Sequence, residues 1–308
     1  MIYDVIILGA GPAGLSAGIY AARANLKTLI IEKETIGGQI ALTLSVDNYP
    51  GVDGEPSGVD ITSKMLAQAE RFGAEKVSDN IIEVDLKSDI KILKSENNEY
   101  KARAVILATG ANPRKLGVNG EQEFTGKGVA YCATCDGPFY QGLEVYVIGG
   151  GDAAVEEAIF LTKFARKVTV IYRGDKLKAA KSIQEKAFAN EKIHFIYNSE
   201  VREIYGDMAV NKIKVENTST GEITYFEADK NDKDFGLFIF VGYVPNTELV
   251  KGQVELDRGY IPTDYNMKTN IPGVFAAGDV RVKDVRQVVN AAADGAIAAV
   301  AAEKYLEH

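Results

Sequence analysis

The two residues of this sequence with the clearest capacity for chemistry are cysteines that lie three positions apart. Cys132 and Cys135 are the chain's only cysteines and form a single C-x-x-C motif. A purely structural disulfide across so short a loop would add little stability, because the entropy gained from a cross-link grows with loop size. The motif therefore predicts a reversible dithiol–disulfide couple.

Zinc binding is the alternative use of paired cysteines, and the sequence disfavours it. Structural zinc usually takes four cysteine, histidine or carboxylate ligands. The chain has only two histidines, of which His194 lies in a strand-like run and His308 is the last residue. We therefore expect no metal site.

A glycine-rich turn near the start of the chain predicts a dinucleotide-binding βαβ unit. The apolar run 3–8 leads into Gly9, Gly11 and Gly14 in G-x-G-x-x-G spacing, then into a helical stretch and a second apolar run ending at Glu32. In such a unit the first glycine permits the tight turn, the second lets backbone N–H groups approach a pyrophosphate, and the third allows close helix–strand packing. The pyrophosphate lies at the helix N-terminus. Glu32 is placed to accept hydrogen bonds from a ribose.

A second unit of the same design follows in the middle of the chain. The run 144–148 precedes Gly149-Gly150-Gly151, with Ala154 in place of the third glycine, and the next apolar run ends at Arg173. Alanine is tolerated at that position. Two such units predict an α/β fold with two Rossmann-like nucleotide-binding domains of the three-layer ββα type.

The chain is also long enough for two hydrophobic cores. Pro113 and Pro245 each end a strand-like run, and the segment after Pro245 resembles no third core. We therefore predict that residues 1–113 and 246–308 form the first domain. Residues 114–245, which carry the C-x-x-C motif, form a second domain inserted into the first.

Charge and hydropathy exclude several classes of partner. The net charge of −8 disfavours nucleic acid, because binding would require neutralising phosphates. No apolar run reaches the roughly eighteen residues of a membrane span. The first residues lack the basic region of a signal peptide. We expect a cytoplasmic protein.

Seven segments in order along the chain resemble the low-molecular-weight thioredoxin reductases, which are FAD-dependent disulfide oxidoreductases. They are GGQ at 37–39, NYPG at 48–51, ATG at 108–110, CATCDGPFY at 132–140, GGGDAAVEEA at 149–158, GVFAAGDV at 273–280 and RQVVNAAADGAIAA at 286–299. The resemblance implies FAD at the first glycine turn and NADPH or NADH at the second. It also implies thioredoxin or a similar small dithiol protein as the electron acceptor, and a homodimer.

The same resemblance implies roles for individual residues. Asp279 is expected on the ribityl chain of FAD, with Arg286, Gln287 and Ala293 near the flavin ring. The other expected FAD contacts are Gly9, Gly11, Pro12, Ala13, Gly14, Glu32, Lys33, Gly38, Gln39, Asn48, Val84, Ala108, Thr109, Gly110, Gly278, Val288 and Ala291. The expected nicotinamide-nucleotide contacts are Gly149, Gly151, Asp152, Ala153, Ala154, Arg173 and Lys178.

For the reaction, the resemblance implies that Cys135 lies against the flavin and that Cys132 attacks the substrate disulfide. Asp136 is implied as the general acid–base, a role suited to a carboxyl whose pKa is raised by burial. An alternative for Asp136 is a turn residue, because Asp-Gly-Pro is favourable turn chemistry.

The sequence departs from the resembled family where NADPH is recognised. The family has His-Arg-Arg-x-x-x-Arg after the second strand of the inserted domain, whereas residues 172–178 read Tyr-Arg-Gly-Asp-Lys-Leu-Lys. Lysine offers only a point charge where arginine grips phosphate with two hydrogen bonds, and glycine offers nothing. The donor therefore stays open between NADPH, NADH and reduced ferredoxin, with the glycine turn favouring a nucleotide.

The acceptor and the class of function also stay open at this point. A peroxidase or a glutaredoxin-like protein could take the place of thioredoxin as the acceptor, because docking surfaces are not encoded in motifs. A flavin redox sensor that responds to oxidation without turnover is a further class of function that a C-x-x-C motif could serve.

Overall fold

The chain folds into two compact units, the second inserted into the first. The computed structural model describes residues 1–43, 46, 48–54 and 56–307, so that His308 lies outside the described residues. One unit comprises Met1–Asn112 and Val244–His308, and the other comprises Pro113–Tyr243. Each is built on a sheet whose central strands are parallel, which confirms the predicted α/β class with two Rossmann-like units.

The bounds of the elements are as follows. The helices are α1 (Pro12–Arg23), α2 (Gly58–Arg71), α3 (Ala133–Asp136), α4 (Asp152–Leu161), α5 (Lys181–Phe188) and α6 (Val288–Leu306). The strands are β1 (Ile2–Leu8), β2 (Thr28–Glu32), β3 (Glu75–Ser78), β4 (Glu83–Asp85), β5 (Lys91–Lys94), β6 (Glu99–Leu107), β7 (Ala111–Pro113), β8 (Val129–Ala130), β9 (Glu144–Ile148), β10 (Lys167–Ile171), β11 (Ile193–Ile196), β12 (Ser199–Gly206), β13 (Val210–Asn217), β14 (Ile223–Glu227), β15 (Gly236–Ile239), β16 (Tyr243–Pro245) and β17 (Val274–Ala276).

In the first unit the strand order is β3-β2-β1-β6-β5-β4, and β17 also pairs with β6. The central strands are parallel, with Ile7 opposite both Ile30 and Ile106. Both faces of this sheet are covered, which explains why β1 is an almost continuous apolar run. One face packs against α1 and α6, and the other contains Ile6 and Leu93 in a second buried cluster.

In the second unit β11-β10-β9-β15-β8 form a parallel sheet, and β12-β13-β14 form a separate antiparallel sheet. Val155 and Leu161 of α4 belong to the core on one face of the parallel sheet. Ile204 and Ile213 of the antiparallel sheet belong to the core on the other face. The unit therefore has the three-layer ββα arrangement that the sequence predicts.

The two chain segments that join the units pair with one another. They are the short strands β7 and β16, which form a two-stranded sheet. None of the helices within the described ranges combines the length and apolar character that a membrane span requires.

Close packing of α6 on α1 places the N-terminal half of one helix beside the first turns of the other. A Cβ atom at Gly295 would lie 2.0 Å from the carbonyl oxygen of Ala13, so only glycine fits there. The Ser16 hydroxyl donates a hydrogen bond of 2.7 Å to the carbonyl of Ala292. The backbones of the two helices therefore approach as closely as glycine allows.

We predict that Gly295→Ala lowers the free energy of unfolding by about 1–3 kcal/mol or more, because the added methyl forces α6 away from α1. Alanine is the better helix former by about 1 kcal/mol, so the steric term must exceed that gain. Chemical denaturation measures the difference. Val300→Ile, which adds one carbon on a more exposed face of the same helix, is the matched control. An alanine variant as stable as the original chain would contradict this explanation of the packing.

Candidate active site

The turn between β1 and α1 has the geometry of a phosphate-binding turn. Gly9 has φ +110°, and a Cβ atom there would lie 2.3 Å from the carbonyl oxygen of Ala108. A Cβ atom at Gly14 would lie 1.8 Å from the Gly9 oxygen, whereas one at Gly11 would meet only the Gly37 oxygen, at an ordinary contact distance of 3.9 Å. Gly11 caps α1 without any side-chain hydrogen bond, Pro12 follows it, and the first turn holds no acidic residue. The N–H groups at this helix end are therefore available to an anion.

Glu32 lies at the carboxyl end of β2, beside this turn. Its carboxylate accepts hydrogen bonds from the N–H groups of Ala10 (2.7 Å) and Glu34 (2.9 Å). These bonds fix the carboxylate close to the glycine turn, where an adenosine ribose would lie. Lys33 is exposed and pairs with Glu34 at 3.2 Å.

The segment around Gly38 lies against the same turn. The Gly37 N–H donates to the carbonyl of Ala10 (2.9 Å), and a Cβ atom at Gly38 would lie 3.4 Å from the Cα of Gly11. Gln39 continues this segment and donates to the Asn112 side chain at 2.7 Å. Residues distant in sequence are thereby brought to one side of the turn.

Thr109 forms hydrogen bonds with Asn246, a residue that the sequence motifs did not identify. The Thr109 hydroxyl donates to the carbonyl of Asn246 (2.7 Å), and the Asn246 amide donates to the carbonyl of Thr109 (2.8 Å). The backbone N–H of Asn246 also donates to Gly110 (3.0 Å). The sequence signal available for Asn246 is its place beside a proline at a strand end, which by itself indicates only a domain boundary.

The turn that carries Asp279 lies on the N-terminal part of α1. A Cβ atom at Gly278 would lie 2.8 Å from the Cβ of Ala13. Oδ1 of Asp279 is buried and has no hydrogen-bond partner among the described residues. Burial raises the pKa of this carboxyl. An orphaned carboxyl oxygen beside a phosphate-type turn fits a ligand that brings hydroxyl donors, as the ribityl chain of FAD would.

The start of α6 gathers further predicted residues. Gln287 caps the helix, and its side-chain oxygen accepts from the Asn48 amide at 3.2 Å. The Arg286 guanidinium lies 4.7 Å from the centre of the Tyr260 ring. Val288 and Ala291 are buried and Ala293 is exposed in the first turns of the helix. Val84 lies in a buried core cluster and its carbonyl accepts from the side-chain amide of Gln253, so its contribution to a cofactor site stays a prediction.

In the second unit, Cys132 and Cys135 form a disulfide with their Cα atoms 5.3 Å apart. Cys132 caps α3, and its sulfur accepts from the N–H of Cys135 at 3.2 Å. The Thr134 hydroxyl lies 3.3 Å from the same sulfur. These contacts would stabilise negative charge on Cys132 in the reduced pair, and a thiolate is the nucleophile in disulfide exchange. The described residues contain no cluster suited to a metal ion.

Asp136 lies directly after this pair. Its N–H donates to the carbonyl of Cys132 at 3.1 Å, and burial raises the pKa of its carboxyl to about 6. Burial also raises the pKa of Tyr140, with further contributions from the negative charges of Asp136 and Asp234. A carboxyl that titrates near neutral pH can both give and take a proton.

The chain segment before Cys132 depends on Glu121, a buried residue that no motif identified. Its carboxylate accepts from the N–H groups of Leu116 (2.9 Å) and Gly117 (2.7 Å) and from the Tyr131 hydroxyl (2.7 Å). Tyr131 immediately precedes the cysteine pair. An isolated glutamate in a loop carries no recognisable sequence signal, so only tertiary contacts reveal this role.

The second glycine turn has the same form as the first. Gly149 has φ +144°, and its absent Cβ would lie 2.3 Å from the carbonyl oxygen of Phe240 and 2.7 Å from buried Ala154. Gly151 caps α4 and faces open space, with Ala153 exposed in the first turn. Asp152 accepts from the N–H of Ala180 at 2.6 Å.

The loop that follows β10 closes over one side of this turn. The N–H of Lys178 donates to the carbonyl of Gly150 at 2.7 Å. The ring of Tyr172 covers Gly150 and Gly174, where an added Cβ would lie 2.4 Å and 2.6 Å from ring atoms. The side chains of Arg173 and Lys178 are exposed and make no ion pair with any residue of the described ranges. Both cations are therefore available to an anionic ligand.

Comparison with known proteins agrees with this geometry. The pyridine nucleotide-disulphide oxidoreductase family pattern matches residues 3–295. A thioredoxin reductase of Peptoclostridium litorale is 59% identical over 307 residues, covering 99% of this chain and 98% of the relative.

This chain belongs to the thioredoxin reductases of the pyridine nucleotide-disulphide oxidoreductase family. It is thus an oxidoreductase that acts on a sulfur group. The crystal structure of the Streptococcus pyogenes thioredoxin reductase is similar, with a TM-score of 0.91 and 46% identity over 99% of this chain and 98% of that one. A ferredoxin-flavin thioredoxin reductase from Clostridium acetobutylicum is similar with a TM-score of 0.54 and 31% identity, over 100% and 98% of the two chains. Family membership confirms the resemblance seen in the motifs.

We predict that Asp136 makes the stability of the chain depend on pH. Its folded-state pKa of about 6 lies above the ordinary 3.8, so the folded state holds an extra proton between these values. This contribution to the free energy of unfolding is complete at low pH and is lost as the pH rises through about 6. Asp136→Asn removes it, so the variant should gain stability relative to the original chain as the pH rises from about 4 to about 6. Denaturant unfolding across this range measures the difference, and a constant difference would contradict the assignment.

Proposed function

We propose that the chain is a thioredoxin-disulfide reductase in which electrons pass from a pyridine nucleotide to FAD, then to Cys132–Cys135, then to thioredoxin or a similar dithiol protein. The observation that carries this proposal is the joined cysteine pair at the start of a helix, followed directly by a carboxyl whose pKa is raised to about 6 by burial. A purely structural disulfide would need neither the helix position nor the adjacent acid.

The first unit supplies the residues proposed to hold FAD. The open N-terminus of α1 suits the pyrophosphate, Glu32 suits the ribose, and the orphaned oxygen of Asp279 suits a ribityl hydroxyl. When bound, FAD would supply a carrier that accepts and donates two electrons. We propose the second unit as the site of the nucleotide donor.

The cysteine pair is proposed to carry out the exchange reaction. Two electrons and one proton convert the disulfide into a Cys132 thiolate and a Cys135 thiol, and the second proton goes to the sulfur that leaves the substrate disulfide. We assign the transfer of these protons to Asp136. The Cys132 thiolate then attacks the substrate disulfide, breaks its S–S bond and forms a mixed disulfide. Cys135 attacks Cys132 in that mixed disulfide, which restores the internal disulfide and releases the substrate as a dithiol.

A pyridine nucleotide is the donor that the second glycine turn favours. Gly151 leaves open space at the N-terminus of α4, and Arg173 and Lys178 offer exposed positive charge nearby. Reduced ferredoxin is the second candidate, because Gly174 lies under the Tyr172 ring where the family pattern has an arginine. The similarity to a ferredoxin-flavin thioredoxin reductase supports the same candidate. A homodimer in the cytoplasm is the accompanying expectation from the family.

We predict that Cys135→Ser abolishes steady-state reduction of thioredoxin while FAD remains bound, because the proposed flavin contacts lie in the other unit. Cys132→Ser should abolish turnover in the same way. Flavin absorbance after gel filtration measures cofactor retention, and insulin precipitation measures turnover. Thioredoxin reduction by either variant would remove the pair from the electron path, and a colourless original protein that takes up no FAD would refute the proposed cofactor.

Anaerobic titration with NADPH, NADH and reduced ferredoxin at equal concentrations tests the donor. We expect flavin bleaching by a nucleotide. If NADPH is the donor, Lys178→Ala should raise the KM for NADPH by about two- to fivefold and leave that for NADH unchanged, since an exposed charge pair is worth about 1 kcal/mol or less. Lys186→Ala, another exposed lysine of the second unit, is the matched control. Bleaching by ferredoxin alone would reject the nucleotide proposal.

A further inference from the structure

A buried carboxylate on α6 takes no part in the proposed electron path. Asp294 is 7% exposed in a helix segment made largely of alanine and glycine. An ionised group at such a position is costly unless hydrogen bonds and opposite charges compensate it. Its partners therefore indicate why a charge is kept there.

Three donors converge on one oxygen of this side chain. Oδ2 of Asp294 accepts hydrogen bonds from the N–H of Gly278 (3.0 Å) and from Nζ of Lys283 (2.9 Å), and it forms an ion pair with Nη1 of Arg281 (2.9 Å). The side chains of Lys283 and Arg281 are themselves 9% and 13% exposed. The cluster is thus a nearly dry ion network rather than a surface salt bridge.

The three donors lie on both sides of Asp279 along the chain. Gly278 precedes it, and Arg281 and Lys283 follow it. Arg281 is also held by a 2.8 Å hydrogen bond from its Nε to the Thr263 hydroxyl. Asp294 therefore contacts the turn that carries Asp279 both before and after Asp279, which holds the turn in place.

The charges of the cluster are shared with Asp279. Burial raises the pKa of the Asp279 carboxyl and the negative charge of Asp294 adds to this rise, whereas Lys283 and Arg286 oppose it. Lys283 thus interacts electrostatically with two carboxylates, and of these two it forms an ion pair with that of Asp294 in the described part of the chain. Without the Asp294 charge, Lys283 would be left to pair with Asp279 and occupy its free oxygen.

We propose that Asp294 is a positioning residue of the flavin site, which holds the Asp279 turn in place and keeps Lys283 away from the Asp279 carboxylate. The inference rests on the proposed function in that it takes Asp279 to be a contact of FAD. Asp294 itself touches no cofactor and acts through Gly278, Arg281 and Lys283.

The holoenzyme variant Asp294→Asn tests this role, because asparagine keeps the shape and removes the charge. We expect its FAD affinity to fall by about tenfold or more, as for a lost charge-assisted hydrogen bond. The midpoint potential of its bound flavin should shift to more positive values, because one negative charge near the cofactor is gone. Glu303→Gln makes the same charge change near the C-terminal end of α6 and should leave both quantities unchanged.

A second variant, Lys283→Met, distinguishes an effect of charge from an effect of misfolding. It removes one positive charge and leaves the contacts of Asp294 with Gly278 and Arg281 intact. It should shift the flavin potential in the opposite, negative direction. Flavin release on dilution and redox titration with a reference dye measure the two quantities without turnover. If the original protein, Asp294→Asn and Lys283→Met all bind FAD with the same affinity and have the same flavin midpoint potential, the role of Asp294 is refuted while the proposed function stands. If the original protein binds no FAD, the proposed function fails first and this inference fails with it.

Discussion

Close approach of three backbone segments at the start of α1 is the constraint on which the first unit depends. The Gly9 turn, the Gly278 turn and the middle of α6 all pack within contact of the first residues of α1, and each does so through a glycine. A side chain at Gly14, Gly278 or Gly295 would drive them apart. Because these segments meet there, Glu32, Asp279 and the N-terminus of α1 converge on a common region. The proposed FAD site therefore depends on close backbone packing that only glycine permits.

The second unit repeats this device for a different purpose. Gly149 and Ala154 reproduce the tight contact between strand and helix, and Gly151 leaves the helix end open. The same unit also carries the disulfide at the start of α3. This short helix begins directly after Cys132 and ends at Asp136. A nucleotide-type fold thus also serves as the scaffold for sulfur chemistry. Fold alone does not determine function, and here the added motif decides it.

Three carboxyl groups serve different ends in this chain, and their surroundings decide which. Among the described residues no opposite charge offsets the desolvation of Asp136, so burial raises its pKa to about 6. Glu121 receives three hydrogen bonds and orders the chain before the cysteines. Asp294 receives two cations and a backbone N–H and orders the Asp279 turn. All three side chains are carboxyl groups, but Asp136 is partly exposed whereas Glu121 and Asp294 are buried, and the donors that reach each of them differ.

The sequence by itself determined the α/β class, the two nucleotide-type turns and the redox pair, because each is a local pattern in which spacing sets geometry. Gly9, Gly11 and Gly14 allow a tight turn and a close approach of the backbone that residues with a side chain would obstruct, and cysteines three residues apart can join without help from the rest of the chain. Only the tertiary structure revealed Asn246, Glu121 and Asp294 as organising residues. Their partners lie far away in sequence or are backbone atoms common to every residue, so no spacing rule identifies them. Burial, which controls the pKa of Asp136 and leaves an Asp279 oxygen without a partner, likewise exists only once distant segments have packed together.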